Sequence, residues 1–528
     1  MTVKSLFIGM DGSTFTVLDE LMSGPEPIMP VLAELVKKGV RAHLKSTPNP
    51  LTPPAWVSLM TGQYPGVHGI YDFLKSTEND GELYTELTNS QDCTREMIWT
   101  IASRHGVRSA ALNLPFTAPP PRDLNGVIMP GFVPWKHLSR NTQPRDFYKR
   151  MKVDLPGVEP KQLAWDFQHE EKSVQHQSTD QQRDWVTYHL ARDEMWFEVA
   201  KYVIENEKPG LMAVMFDGTD KLQHQVWPYL DPRLAPAEPD ATYREMREAS
   251  LQYFRNMDRY IEGLVALCPD AQVVLASDHG FTAQTAVFNA NTFLAQKGYL
   301  SFRSAAEIEE LAGKSGFLTP VDVSASKAYC RTPSTNGIYI RKAWLGEEGG
   351  VAEEDYEAFR DQLIAELMAV IDPRTGEPHV LEVLKREEAF AGQSMEKAPD
   401  LTLVMVDSGF LSLKKAEEAL EPLDPPIGTH HPDGIFVACG QGIQEGVELA
   451  PLRIVDVAAI LLHHAGVSVP VDFNGKVPEG LYTAEAWASN PAQIGEATKV
   501  PSHLVSAEMS EEEKALLMEQ LAALGYAE

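Results

Sequence analysis

A chain of 528 residues with a formal net charge of −29 can bury one large core with sizeable inserted segments. It shows no basic run with which to grip a nucleic-acid polymer or an anionic membrane surface. No apolar run approaches the roughly 20 residues of a membrane span, and the first residues, MTVKSLFIGMDG, lack the layout of a signal peptide. Cys93, Cys268, Cys330 and Cys439 lie far apart without Cys-X-X-Cys spacing, which argues against a disulfide framework or zinc knuckle and fits a reducing, cytoplasmic compartment.

Residues 3–10 form a short apolar run of strand type that ends in Asp11-Gly12. In open α/β sheets chemistry gathers at the carboxyl ends of strands, so Asp11 stands where a ligand can be held; a lone Asp-Gly is otherwise a turn. Residues 28–39 read as a helix with Val31, Leu32, Leu35 and Val36 on one face. The stretch 50–70 follows: Thr52 precedes two prolines, Trp56, Leu59 and Met60 recur at helical spacing, and Gly62 closes the segment. Thr52 is predicted as the N-cap of a short buried helix, where orphan N–H groups favour an anion such as phosphate. The plainer alternative makes Thr52 a cap and nothing more.

Residues 93–105 have a helical pattern and 109–114 a strand pattern. The span 115–185 is rich in proline, glutamine, histidine and charge, and reads as an inserted lobe or active-site cover. Residues 185–205 form a long amphipathic helix. The run 211–216 is almost wholly apolar, as in a parallel strand buried on both faces, and ends in Asp217-Gly218-Thr219-Asp220-Lys221-Leu222-Gln223-His224. On a helix starting there, Asp220 and His224 share a face and can hold a metal together, with Asp217 as an alternative ligand or an N-cap. Residues 272–276 repeat the arrangement and end in Ser277-Asp278-His279-Gly280. For His279 the alternative is a buried, hydrogen-bonded histidine.

A second insertion is expected over 300–400, with acidic helices such as 353–371. Residues 401–406 resume a strand, and Gly428-Thr429-His430-His431 leads into the apolar run 435–439. Residues 454–464 read as a helix, and 467–475 as a loop. The expected organisation is a catalytic domain over 1–485 and a C-terminal helical tail over 486–528, with 510–524 as its amphipathic helix.

Asp11, Thr52, Asp220 and Asp278 offer oxygen, and His224, His279 and His430 offer imidazole, all at strand ends or helix starts. Carboxylate with imidazole suits zinc, and also manganese or iron. Seven donors exceed one tetrahedral site and match two sites sharing a substrate. Two dications against three carboxylates leave about +1 locally, enough to attract a small anionic ester.

This set resembles the alkaline phosphatase superfamily, and within it the type I phosphodiesterase / nucleotide pyrophosphatase branch. The resemblance lies in Thr52, Pro54, Thr61-Gly62, Pro65 and His68-Gly69-Ile70, in Asp11 after the first strand, and in Asp220 with His224. It continues through Ser277-Asp278-His279-Gly280 and Gly428-Thr429-His430. It implies an α/β fold with a central, mostly parallel sheet, helices on both faces and cap-like insertions. It also implies one metal on Asp220, His224 and His430, and another on Asp11, Thr52, Asp278 and His279. Thr52 would attack phosphorus to form a phosphothreonine, which water releases.

Two positions depart from relatives within the superfamily. The nucleotide pyrophosphatases bind a phosphoryl oxygen with an asparagine where this chain has Phe73, which leaves backbone N–H groups after Thr52 as the expected substitute. Sulfatases need Cys or Ser followed four residues later by Arg, where this chain has Thr52 and Trp56. His431 is a less favoured ligand than His430 and is expected to line the entrance, with His431 and Phe73 as candidate substrate-binding positions. The implied activity is a metal-dependent phosphoric ester hydrolase acting on a diester or pyrophosphate. The alternatives are a phosphomonoesterase, a phosphotransferase on the same site, and a metal-bearing scaffold without turnover.

Overall fold

The computed structural model describes residues 2–79, 82–164, 178–311 and 320–503. Short apolar runs alternate with amphipathic helices, a pattern that builds a layered α/β frame. The strands and helices that carry the frame are, in chain order, β1 (Ser5–Met10), β2 (Val40–Lys45), α1 (Thr52–Thr61), β3 (Ser109–Leu112), β4 (Gly126–Met129), α2 (Thr179–Glu207) and β5 (Leu211–Phe216). They continue as α3 (Gly218–Leu230), α4 (Ala241–Leu267), β6 (Gln272–Ala276), β7 (Gly280–Asn289), β8 (Leu420–His431), β9 (Asp433–Cys439) and α5 (Asp456–His464).

The central sheet runs β2–β9–β6–β1–β5–β3–β4, with two short strands, Val447–Glu448 and Leu452–Arg453, beside β2. Strands β4, β3, β5, β1 and β6 are mutually parallel, whereas β9 runs against both of its neighbours. The expected mostly parallel sheet with helices on both faces is thus the observed one. Every residue of β1 and β5 is buried, because helices cover both sides of a parallel sheet. Along β1 the side chains alternate: Leu6, Ile8 and Met10 enter the core beneath α2 and α4, while Phe7 enters the core beneath α1 and α5.

The close seating of α1 on β1 depends on a missing side chain. A Cβ on Gly9 would lie 2.6 Å from the Trp56 ring, so only glycine lets the indole pack across the end of the strand. Gly62 ends α1 in the left-handed region at φ 65°, as a glycine stop does.

The two expected insertions are built in opposite ways. Within 115–185, β4 is an edge strand of the central sheet, and Leu138, Phe147, Met151 and Leu163 lie in the main core. The described residues of that span therefore pack onto the main sheet and core. Periodicity missed β4 because it has only four residues, too few to register a pattern. By contrast, the region between β7 and β8 has a core of its own. Phe288, Leu294, Ile338, Leu363, Leu401 and Leu403 pack together there, around a four-stranded sheet that includes Gly337–Ile340, Val380–Lys385 and Leu401–Met405. The expected helix over 510–524 lies outside the described residues. Before it the chain runs largely extended along the surface, where Thr498 bonds Asp472 and the Lys499 amide donates to Glu96. No described helix is long and apolar enough to cross a membrane.

Candidate active site

Side chains from the carboxyl ends of β1, β5 and β6, from the start of α3 and from the end of β8 meet at one point beside α1. Asp220 and His224 lie one turn apart on α3, as their spacing requires, and His430 closes over them from β8. His430 Nε2 is 3.2 Å from Asp220 Oδ1, His224 Nε2 is 3.5 Å from that same oxygen, and the two Nε2 atoms are 3.1 Å apart. Ligands roughly 2.0–2.1 Å from a tetrahedral ion stand about 3.3–3.5 Å from one another. The triad therefore has about the dimensions of three of the four positions of a tetrahedral shell.

A second cluster adjoins it. His279 Nε2 lies 3.3 Å from Asp278 Oδ2, 3.7 Å from Asp11 Oδ1 and 3.9 Å from Asp220 Oδ1. Asp220 thus faces both groups, where the sequence comparison implied only one. The His279 and His430 rings stack at 3.6 Å between centroids, so Asp11 and His430 belong to one pocket.

Two features show that these groups suit cations. Each imidazole has Nδ1 against a backbone carbonyl: His430 against Pro50 at 2.7 Å, His279 against Gly280 at 3.0 Å and His224 against Gly428 at 3.3 Å. An Nδ1–H donated to a carbonyl leaves the Nε2 lone pair pointing into the site, the tautomer a metal needs. In addition, Asp11 Oδ1, Asp220 Oδ1, Asp278 Oδ2 and His279 Nε2 are buried without a hydrogen bond among the described residues. Four such atoms aimed at one spot are costly unless something binds them.

Electrostatics agree. Burial pushes the Asp11 carboxyl well above its usual range, and Asp278 and Asp220 add to the shift. Asp278 is raised by burial and by Asp220. Burial also favours a charge-free Asp220, but the facing imidazoles, His224 first, hold it well below the usual range. Burial, with His430 alongside, keeps His279 well below its ordinary value, and burial lowers His430 as well. Neutral imidazoles beside crowded carboxylates form a donor set for divalent cations.

Thr52 is the first residue of α1, buried at 2 % exposure; the N-cap is Leu51. This corrects the expected N-cap role and leaves the hydroxyl outside any cap hydrogen bond. The expected backbone cradle also fails. Pro53 and Pro54 have no N–H, and the Ala55 amide donates to Leu51 O at 3.0 Å.

The helix is nonetheless pinned to both clusters. Pro50, two residues ahead of Thr52, accepts from His430, and Trp56 Nε1 donates to Asp11 Oδ2 at 3.2 Å. Trp56 was expected only as an apolar position; its place one turn beyond Thr52 was the available signal. Asp217 is not brought into the ligand set. Its carboxylate receives the Arg192 guanidinium and, at 3.3 Å, Asn113 Nδ2. Asn113 follows the end of β3, so the strand-end rule that found Asp11 points to it too. His431 accepts the Asp433 amide at its own turn, 3.1 Å away. Phe73 stacks on Phe132, 6.2 Å between centroids.

The model of the family described as type I phosphodiesterase / nucleotide pyrophosphatase matches residues 5–433. The chain belongs to that family. It is accordingly a hydrolase of the phosphodiesterase/phosphatase type, in a metal-dependent family of the alkaline phosphatase superfamily. Murine ectonucleotide pyrophosphatase / phosphodiesterase 5 is similar in structure at 14 % identity, TM-score 0.53, with 92 % of this chain and 100 % of that chain covered. Phosphonoacetate hydrolase from Sinorhizobium meliloti 1021, in complex with phosphonoformate, is similar at 18 % identity, TM-score 0.51, with 88 % and 96 % covered. No curated protein sequence matches the chain. At these identities the two structures speak for the alkaline-phosphatase-like fold.

Proposed function

We propose that this family member is a metal-dependent phosphodiesterase/pyrophosphatase-type hydrolase that works through a phosphothreonine at Thr52. The observation that carries the reading is the convergence of Asp11, Asp220, His224, Asp278, His279 and His430, with all three imidazoles tethered through Nδ1. Asp220, His224 and His430 would hold one divalent cation; Asp11, Asp278, His279 and Thr52 would hold the other. Zinc fits the mixed carboxylate and imidazole set, with manganese or iron as alternatives. When bound, the cations supply Lewis-acid charge that lowers the pKa of a nearby hydroxyl or water and neutralises an anionic ester.

The Thr52 hydroxyl gives up its proton as its oxygen bonds phosphorus and the bond from phosphorus to the leaving oxygen breaks, and the leaving oxygen departs with a proton in its place. Water then takes the phosphoryl group and returns a proton to the threonine. Helix α1 fixes the hydroxyl through Pro50 and Trp56, so little orientation is left to be lost on the way to the transition state. A small anionic phosphoester is the supported substrate class, since a protein of net charge −29 repels a polyanion. A phosphonoformate complex and an AMP complex in similar structures point the same way. The four cysteines are buried and unpaired, in keeping with a reducing, cytoplasmic setting.

The test is hydrolysis of bis(p-nitrophenyl) phosphate against p-nitrophenyl phosphate by the zinc- or manganese-loaded protein. A diester preference is expected. A monoester preference of about a hundredfold, some 2.7 kcal/mol in transition-state binding, would move the assignment to a phosphomonoesterase. Bound metal with no turnover of either ester, with or without an added acceptor alcohol, would leave only the scaffold.

A further inference from the structure

We infer that Thr219 and Gln223 are positioning residues that tie the two cation sites together. The helix that bears one set of ligands thereby holds the other set in place. This rests on the reading of Asp220, His224 and His430 as one site and of Asp11, Asp278 and His279 as the other. Each of the two residues stands just ahead of a ligand on α3, Thr219 before Asp220 and Gln223 before His224. Their spacing of four puts them on one face, as it does the ligands, and that face meets the turn Asp11-Gly12 beyond β1. The Thr219 hydroxyl donates to Asp11 O at 2.5 Å, nearer than Phe216 O at 3.4 Å. Gln223 Nε2 donates to Gly12 O at 2.8 Å. Both side chains are fully buried.

The turn needs that grip. Gly12 sits in the left-handed region at φ 64°, and a Cβ there would lie 3.2 Å from Asp220 Cα and 3.0 Å from the Phe281 ring. Glycine thus lets the turn approach α3, but it is also the residue with the most conformational freedom to lose. What the turn carries is the second site. Asp11 supplies a carboxylate, and the Gly12 amide donates to Asp278 Oδ1 at 3.3 Å. Asp11 Oδ1 and Asp278 Oδ2 are the oxygens that face His279. One connected path therefore runs from Gln223 through the Gly12 peptide to Asp278, and another from Thr219 through the Asp11 backbone to its carboxylate. A buried carbonyl must be hydrogen-bonded. Leucine or valine could fill the same space on α3 but could not donate to Gly12 or Asp11.

The experiment titrates the full chain, freed of metal by chelation, with manganese in a calorimeter. Wild type is compared with Gln223→Leu, Thr219→Val and Thr219→Ser, and the variants His224→Ala and Asp278→Asn, each lacking a ligand of one site, assign the binding steps. Gln223→Leu and Thr219→Val should each weaken the ion on Asp11, Asp278 and His279 by about 10–100-fold, the usual cost of removing a bond behind a ligand. The ion on Asp220, His224 and His430 should keep its affinity within about threefold. Thr219→Ser retains the hydroxyl and should bind both ions as wild type does. The manganese concentration for half-maximal hydrolysis of bis(p-nitrophenyl) phosphate should rise with the weakened step. A general loosening of α3 would act first on the ligands that α3 itself carries. Equal losses at both sites, or a loss at the α3 site alone, therefore overturn the inference. Two unchanged affinities overturn it as well, as does a Thr219→Ser variant as weak as Thr219→Val. Should one of the two bond-deleting variants fail to fold, the other decides. Failure of the underlying reading looks different: wild type itself would not take up two ions.

Discussion

The Nδ1–H of His430 donates to the carbonyl of Pro50 across 2.7 Å. One residue therefore faces the candidate metal cluster through Nε2 and steadies the turn that launches α1 through Nδ1. The register of β8 is thereby coupled to the position of Thr52, although the two are far apart in sequence.

Thr52→Ala separates chemistry from metal binding. Hydrolysis should fall by about 10³-fold or more, as when a nucleophile is removed. The metal on Asp220, His224 and His430 should stay at its wild-type stoichiometry by elemental analysis. Thr52→Ser keeps a hydroxyl and should keep measurable turnover. Full activity in the alanine variant would exclude Thr52 as nucleophile.

Trp56→Phe keeps an aromatic ring but removes the N–H that Asp11 Oδ2 accepts at 3.2 Å. Loss of a hydrogen bond behind a ligand typically costs about 10–100-fold in metal affinity. Calorimetric titration with manganese should show that loss at one of two sites. Two unchanged sites would mean the indole only packs against Gly9.

Asp217→Asn tests the excluded ligand. Arg192 is fully buried, with Asp217 as its hydrogen-bonded carboxylate and Asp193 at 4.0 Å. Neutralising one member of a buried pair costs about 3–5 kcal/mol, visible as a lower urea midpoint, while two metals should still bind. Loss of a metal at unchanged stability would return Asp217 to the ligand set.

Asp72 gives a pH prediction away from the metal ligands. Burial pushes its carboxyl up to about 7, against the hydroxyls of Thr332 and Ser334 that bond it. In the unfolded chain the group ionises near about 3.9. Between those values only the folded state keeps the proton, so stability is greatest below pH 4 or so, for this group, and falls as pH rises to about 7. Asp72→Asn has no such proton. Relative to wild type it should gain stability between pH 5 and pH 8 in urea titrations, and parallel profiles would show that Asp72 does not titrate there.

The parts of this molecule most legible in its sequence were those with unbroken apolar runs. Strands β5 and β6 are buried on both faces and have no polar alternation to obscure them, and the residues just past their ends are the site's Asp220, Asp278 and His279. Spacing alone also paired Asp220 with His224. Contacts that depend on three-dimensional closure were not legible. The place of Trp56 one turn beyond Thr52 sets it beside the site without naming Asp11 as its partner, and nothing local reveals that Arg192, midway along α2, pairs with Asp217. Short β4 hid within a polar, proline-rich span. Thr52 was misplaced by one position because a proline pair is compatible with either side of a helix start, and here Leu51 takes the cap.

The three carbonyl tethers on His224, His279 and His430 fix a radius before any ion arrives. The backbone thus sets, from Pro50, Gly280 and Gly428, where three Nε2 lone pairs stand, at a place that no backbone atom needs to reach.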